Sequence, residues 1–333
     1  MPTPKTQPPW RPGAELTLTA IAGAGLAPLT LTVPAASQTT IFAPDGIGLP
    51  ALWRRLRGTS GPGQIRLDGA PPTRPTDLAF LARPVPGLLR PFARSHTADW
   101  LTPALAAAAT TRPRALILNA PFDTQPNPTP QIEALRALAA THRLTLLHLT
   151  ARRAIAFAAT HIALLDAGTL LQHATPARLY EAPQTLRAAE LSGAVNQISG
   201  TYLGTDNDES EIRLDCGPTI LADMPTQPLA PGAPCVVVLR PERLSVSPLA
   251  PTQLGAQAIA AILQDSAHLG DTIRLTVAIG TDTHLTILRP SAFATQPLTP
   301  GQTLSIAWQP RHALVFPAPT PNPKKARPSP FFL

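Results

Sequence analysis

Apolar and polar positions alternate every second residue in ELTLTAIA (15–22) and PLTLTV (28–33), and this period of two predicts neighbouring half-buried strands. QTTIFA (38–43) is more continuously apolar and predicts a strand that runs directly into a Gly/Pro loop. A helix is predicted over 49–57, with Pro50 in its first turn, where a missing N–H matters little. Short strands follow at 63–69 and 76–82, then a helix near 103–110 and an unbroken apolar strand, RALILNAP, at 114–121. In TPQIEALRALAATH (129–142), Ile132, Leu135, Leu138 and Ala139 share one face at helical spacing. RLTLLHLT (143–150) predicts a strand, ARRAIAFAAT (151–160) a helix, and HIALLDAGTLLQHAT (161–175) a strand, tight turn and strand. Strands alternating with helices imply a sheet covered by helices on both sides.

After about residue 195 the texture changes. NQISGTYLGTD, EIRLDCG, PCVVVLRPERLSVSP, AIAAILQDSAHLGDTIRLTVAIG, THLTILRP and QTLSIAWQPRHALVFP are short strands separated by turn signals, with almost no helical pattern. They predict an all-β region of one or two small barrels of the oligonucleotide/oligosaccharide-binding (OB) type. The expected division is therefore a Pro-rich tail at 1–13, an α/β domain at 14–195, a β domain at 196–316 and a Pro-rich basic tail at 317–333.

Charge sharpens this division. Residues 1–195 hold 18 Lys+Arg against 10 Asp+Glu, and residues 196–333 hold 9 against 10. The basic residues of the first part are scattered and lack interleaved aromatics, which argues against nucleic-acid binding. Cys216 and Cys235 lack metal-ligand spacing and read as isolated thiols of a reducing compartment. MPTPKTQPPWRPG has no apolar core of the secretory kind, and no apolar run reaches the ~20 residues of a membrane span, so a cytoplasmic chain is expected.

The loop between the third strand and the first helix carries the candidate chemistry. APDGIGLPALWR has the outline of G-x-x-x-x-G-K-[ST], in which backbone N–H groups, a lysine and a magnesium-holding hydroxyl grip a polyphosphate. Gly46 and Gly48 are present, but Leu49 stands at the lysine and Pro50 at the hydroxyl. The residues alone leave open a nucleotide site, the remains of one, or an unrelated Gly/Pro loop.

The order of the pieces resembles the ATP-binding subunit of bacterial ABC importers, of the polyamine/iron/sugar type with a C-terminal transport-associated OB domain. Ala43, Pro44, Asp45, Gly46, Ile47, Gly48, Leu49, Pro50 and Ala51 lie on that family's phosphate loop. ALILNAPFD matches L-L-L-D-E-P-L-S, with Asn119 at the aspartate and Ala120 at the glutamate. The stretch 144–193 is similar to the segment that contains the family's switch histidine, keeping Thr150, Ala154, Gly168, Gln172, Thr175, Pro176, Tyr180 and Pro183, with Ala151 at the histidine. VVVLRPERLSVSP and AHLGDTIRLTV resemble the OB domain's I-R-P-E and L-G-x-x-x-R-Y-x-V segments.

The resemblance implies a P-loop NTPase-like ABC nucleotide-binding domain followed by an all-β OB-type domain. Asn119 lies only 36 positions after Arg83, which stands at the family's glutamine, and this implies a reduced helical subdomain without the L-S-G-G-Q signature. ATP and Mg2+ are implied by the resemblance alone. The residues themselves predict no cofactor, because Leu49 has no charge, Pro50 neither hydroxyl nor N–H, Asn119 no anionic ligand for Mg2+ and Ala120 no basic group to activate water. The expectation is a subunit with vestigial motifs that does not hydrolyse ATP. The family's setting implies ABC permease subunits as partners, with an intact ATP-binding subunit or a second copy, at the cytoplasmic face of the inner membrane. Two other readings stand beside it: a stand-alone ligand-binding or regulatory OB protein on an inactive scaffold, and an active transporter ATPase. Asp123 reads as a turn former; Glu242, Asp265 and Asp271 read as turn and hairpin residues; His142, His148, His161 and His173 show no ligand-like clustering.

Overall fold

Residues 12–58, 60–74, 76–82, 111–119, 128–248, 258–293 and 298–319 are described by a computed structural model. The expected helix near 103–110 and most of both expected tails (1–11 and 320–333) lie outside them, as do Arg83, Ala120, Asp123 and the segment where the signature would fall; Pro317, expected in the second tail, ends a strand instead.

The chain folds as two compact units, Met1–Gln184 and Thr185–Leu333. In the first, the alternating strands β1 (Leu16–Gly23) and β2 (Leu26–Val33) pair antiparallel, and β4 (Gln64–Leu67) joins the other side of β1. The strands β3 (Gln38–Phe42), β5 (Leu78–Ala82), β6 (Ala115–Asn119), β7 (Thr145–Thr150), β8 (His161–Asp166) and β9 (Thr169–Ala174) form a six-stranded sheet in the order β5-β6-β7-β3-β8-β9. Its strand pairs are parallel except for the β8–β9 hairpin.

Alternate residues of each inner strand face opposite layers. Ala115, Ile117, Leu147, Leu149, Ala163 and Leu165 pack with the three-stranded sheet and with α1 (Leu49–Leu56). Leu116, Leu118 and Leu146 pack on α2 (Thr129–His142) and on Ile155 of α3 (Arg153–Ala156). Helices therefore cover one face, whereas the other is shared by one helix and a second sheet, correcting the expectation of helices on both sides. The reason is that β1, β2 and β4 bury Leu16, Leu18, Leu29, Leu31 and Leu67 and need an apolar partner of their own. The helix expected over 151–160 is limited to α3, four residues long. Thr175 caps α4 (Pro176–Glu181) by accepting the Arg178 N–H at 3.3 Å, with Pro176 at the first helical position.

In the second unit, α5 (Leu186–Ser192) precedes two five-stranded antiparallel sheets. One comprises β10 (Asn196–Asp206), β11 (Glu209–Leu214), β12 (Thr219–Ala222), β13 (Pro234–Leu239) and β19 (Ala313–Pro317). Its edges approach each other, since the Asp223 N–H donates to the Ala313 carbonyl at 2.9 Å and the Thr226 N–H to Val315 at 3.4 Å. The other comprises β14 (Ser245–Ser247), β15 (Ala258–His268), β16 (Thr272–Ile279), β17 (Thr283–Pro290) and β18 (Thr303–Ala307). Inward residues of both, including Ile212, Val237, Leu275, Ile287 and Ile306, form one apolar cluster.

Polar residues tie this unit together. The Asn196 side chain on β10 meets β17 as a strand would, its amide donating to the Thr286 carbonyl (2.8 Å) and its oxygen accepting the Thr286 N–H (2.7 Å). Arg240 is 4% exposed and donates to the carbonyls of Ala189 and Ala194 and to Ser192 Oγ. A cation thus meets the carbonyl-rich end of α5, where a helix dipole favours one. Because α5 packs through Ala189 on Val236, Val238 and Phe316, it belongs to the second unit, and the boundary falls at 184/185 rather than at the expected 195/196.

Candidate functional site

The parallel strands β3, β6 and β7 end along one sheet edge. Phe42 pairs with Thr150, and Leu149 with Asn119. The loop Ala43–Gly48, Ala151 and Asn119 are therefore brought to the strands' C-terminal edge, where open α/β sheets place ligands. Strand β7 intervenes between the loop and Asn119. The structure thus assembles the predicted positions in one place, with Ala120 outside the described residues.

The loop is closed by its own hydrogen bonds. The Ala43 N–H donates to the Thr150 carbonyl (3.1 Å), the Gly46 N–H to Ala43 (2.9 Å), and the Leu49 N–H to Gly46 (3.4 Å). Asp45 is exposed, yet both its carboxylate oxygens are engaged: Oδ1 accepts the Ile47 N–H at 2.9 Å and Oδ2 the Ala167 N–H at 3.0 Å. The first contact is an Asx turn, readable from Asp-Gly in the sequence; the second spans 122 residues and is not. Gly46 and Gly48 have positive φ, 69° and 86°, and Gly48 is the N-cap of α1 without a side-chain cap. A Cβ on Gly48 would press at 3.1–3.3 Å on Leu26, Gly25 and Gly168, so the loop packs closely beneath two hairpin turns.

Leu49 is 6% exposed and joins the apolar cluster with Leu52 and Leu56. Pro50 is exposed and Ala51 buried. Ile47, 44% exposed, presents an apolar side chain at the loop's surface. Asn119 and Ala151 are half-buried, and the Arg152 N–H donates to Thr150 Oγ1 at 3.1 Å.

His148 lies on the helix-covered face of the sheet. It lines a cavity of about 20 Å³, room for roughly one water molecule, together with Thr39, Thr40, Arg136 and Ile155. Burial pushes its imidazole down to about 3, so it is neutral in the folded chain. Gln172, 4% exposed, anchors the segment after α4, accepting the Gln184 N–H (2.9 Å) and donating to the Ala182 carbonyl (3.3 Å). Asp271 sits in the β15–β16 turn and its carbonyl accepts from Ser291, whereas Asp265 lies within β15 beside a register shift and Glu242 in a short 3-10 turn. Cys235 is buried and its thiol is pushed up to about 11 by burial.

One juxtaposition escaped the sequence. His161 and His173, which show no clustering in the chain order, meet across the β8–β9 hairpin with ring centroids 5.8 Å apart. Among the described residues, no group of three or more His, Cys, Asp or Glu is placed to hold a metal ion. No described helix is long and apolar enough to cross a membrane.

Comparison with known proteins places these observations. The TOBE domain family matches residues 237–316. The chain is 28% identical over 221 residues to the "Spermidine/putrescine import ATP-binding protein PotA" of Thermobifida fusca, covering 64% of this chain and 56% of that protein. It is 29% identical over 229 residues to the protein of the same name from Frankia alni, covering 65% and 49%. The chain thus spans about half the length of the curated relatives it matches. Among solved structures, a bacterial Atm1-family ABC exporter with ATP bound is 16% identical with TM-score 0.44, covering 57% of this chain and 43% of that one. The cytoplasmic molybdate-binding protein ModG is 18% identical with TM-score 0.33, covering 36% and 94%.

Proposed function

For this relative of the ATP-binding subunits of ABC importers, an α/β domain followed by a β-rich TOBE domain, we propose a non-hydrolysing role in a transport complex. The chain is a cassette subunit whose nucleotide motifs are vestigial. The observation that carries this reading is the self-closed loop. Asp45 accepts the Ile47 and Ala167 N–H groups that face its carboxylate, and a carboxylate so placed repels a polyphosphate.

The residues do not fit magnesium–ATP. Leu49 points into an apolar cluster and offers no cation. Pro50 and Ala51 offer no hydroxyl for Mg2+, and Asn119 is a neutral amide where a hard cation prefers a carboxylate. A hydrogen bond to a charged group is worth roughly 1.5–3 kcal/mol, so losing a lysine that makes several removes most of the grip. What remains is a scaffold that can dock while a partner supplies hydrolysis. The partners proposed are ABC permease subunits together with an intact ATP-binding subunit, at the cytoplasmic face of the membrane, with polyamine-like solutes as cargo.

The test is reconstitution. The full chain is co-expressed with a permease pair and with an intact ATP-binding subunit, and complex formation and phosphate release are measured. The proposal expects a complex whose hydrolysis is abolished by inactivating the partner's site and unchanged by Asn119→Ala here. Hydrolysis by this chain alone, or failure to join either partner, contradicts it.

A further inference from the structure

The β8–β9 hairpin carries a histidine pair that the nucleotide-loop reading leaves unused. A plain two-residue hairpin pairing Asp166 with Thr169 and Leu165 with Leu170 would set Ala163 opposite Gln172. A register shift between Leu164 and Leu165 instead sets Ala163 opposite His173. His161 precedes Ala163 by two residues and shares its face. The two imidazoles are therefore diagonal neighbours, within reach of ring-sized side chains, and their planes are inclined at 52°.

Hydrogen bonding fixes the tautomer of one ring. Thr160 Oγ1 donates to the Gln38 carbonyl at 2.7 Å and accepts the Gln38 N–H at 3.1 Å. A hydroxyl has one proton, and here it is committed. The third contact of that oxygen, His161 Nδ1 at 3.3 Å, accordingly has the ring nitrogen as donor. Neutral His161 carries its proton on Nδ1 and its lone pair on Nε2. A metal-binding imidazole needs this arrangement, in which the nitrogen away from the ion donates to a fixed acceptor. Partial burial lowers the His173 pKa first, and a charge on His161 lowers it further. The His173 ring is thus disposed towards its neutral form, with a nitrogen lone pair.

We propose that His161 and His173 form a two-imidazole site for a borderline divalent cation such as Zn2+, with Thr160 orienting His161 and water completing the coordination. Zn–N bonds of about 2.0–2.1 Å put each ring centroid about 3 Å from the ion, so rings sharing one tetrahedral ion lie about 5 Å apart. The observed 5.8 Å is within about 1 Å of that separation, a difference that small rotations of the two side chains close. Nitrogen ligands select Zn2+, Ni2+ or Cu2+ over Mg2+ and Ca2+, which take oxygen. With no third protein ligand among the described residues, the site is open and exchangeable. At its turn, the same hairpin carries the Ala167 N–H that holds Asp45, so an ion clamping the two strands stiffens a support of the phosphate-type loop.

The experiment is calorimetric titration of the untagged full chain with Zn2+. One saturable site is expected, weakened about tenfold or more by His161→Gln and by His173→Gln. Thr160→Val weakens it severalfold, and Thr160→Ser restores it. Lowering the pH from 7.5 to 5.5 weakens it, because metal ligands must be deprotonated, and excess Mg2+ does not compete. Thermal midpoints of the metal-free variants check that folding is intact. Retention of parental Zn2+ affinity in both histidine variants overturns the proposal, as does failure of the parent chain to saturate at millimolar Zn2+.

Discussion

The phosphate-type edge of the first unit and the sheets of the second hold different kinds of residue. At the edge, strand, left-handed glycines and helix have the outline of a phosphate loop, but Leu49, Pro50, Ala51, Asn119 and Ala151 stand at the positions where the resemblance expects ligand-binding groups. In the second unit the buried polar residues are at work within the fold: Asn196 bridges two sheets and Arg240 satisfies carbonyls around the end of α5. The contrast teaches that loop shape and loop chemistry are separable. Backbone geometry is set by glycines, apolar packing and local hydrogen bonds, none of which needs the lysine. A polar residue that joins two elements has no such freedom, because removing it leaves buried donors and acceptors unpaired.

Restoring the missing groups breaks the comparison most forcefully. If the edge were merely a damaged site, Leu49→Lys with Pro50→Thr would revive it. The expected outcome is no phosphate release and a loss of about 3–5 kcal/mol in the first unit, because the new ammonium enters an apolar cluster. Denaturant melts and a coupled phosphate assay read the two effects.

Acid probes the first unit from its other face. The folded His148 pKa lies near 3, below the ordinary 6.5, so the unfolded chain binds the extra proton between these values. Its contribution to stability is whole above about pH 6.5 and falls by about 1.4 kcal/mol per pH unit towards pH 3. His148→Leu flattens that part of the pH–stability profile; an unchanged slope removes His148 as the cause.

Arg240→Met sharpens the other side of the comparison. It leaves the carbonyls of Ala189 and Ala194 without their charged donor, and about 2–3 kcal/mol of the second unit's stability is expected to go. The smallest effect belongs to Asp45→Ala. Removing the carboxylate should lower stability by about 1 kcal/mol and speed amide exchange at Ile47 and Ala167 while that of Leu52 stays slow.

Much of this was legible from local pattern. The buried runs at β3, β6 and β7 and the amphipathic α2 follow from periodicity. Long-range pairing was not. Nothing local shows that β1, β2 and β4 form a separate layer, or that residues 151–160 yield only one helical turn before the chain must reach β8. The meeting of His161 with His173 was invisible for a sharper reason: a one-residue register shift moves a side chain to the opposite face, and no sequence pattern marks that shift. At the loop, the replaced residues were readable directly, whereas the engagement of Asp45 by the distant Ala167 amide required the fold.

The most direct measurement is titration of the purified full chain with a fluorescent ATP analogue in the presence and absence of Mg2+. The account predicts no saturable binding in the micromolar range and no change on adding Mg2+. Micromolar, magnesium-dependent binding that disappears on replacing Gly48 would contradict it.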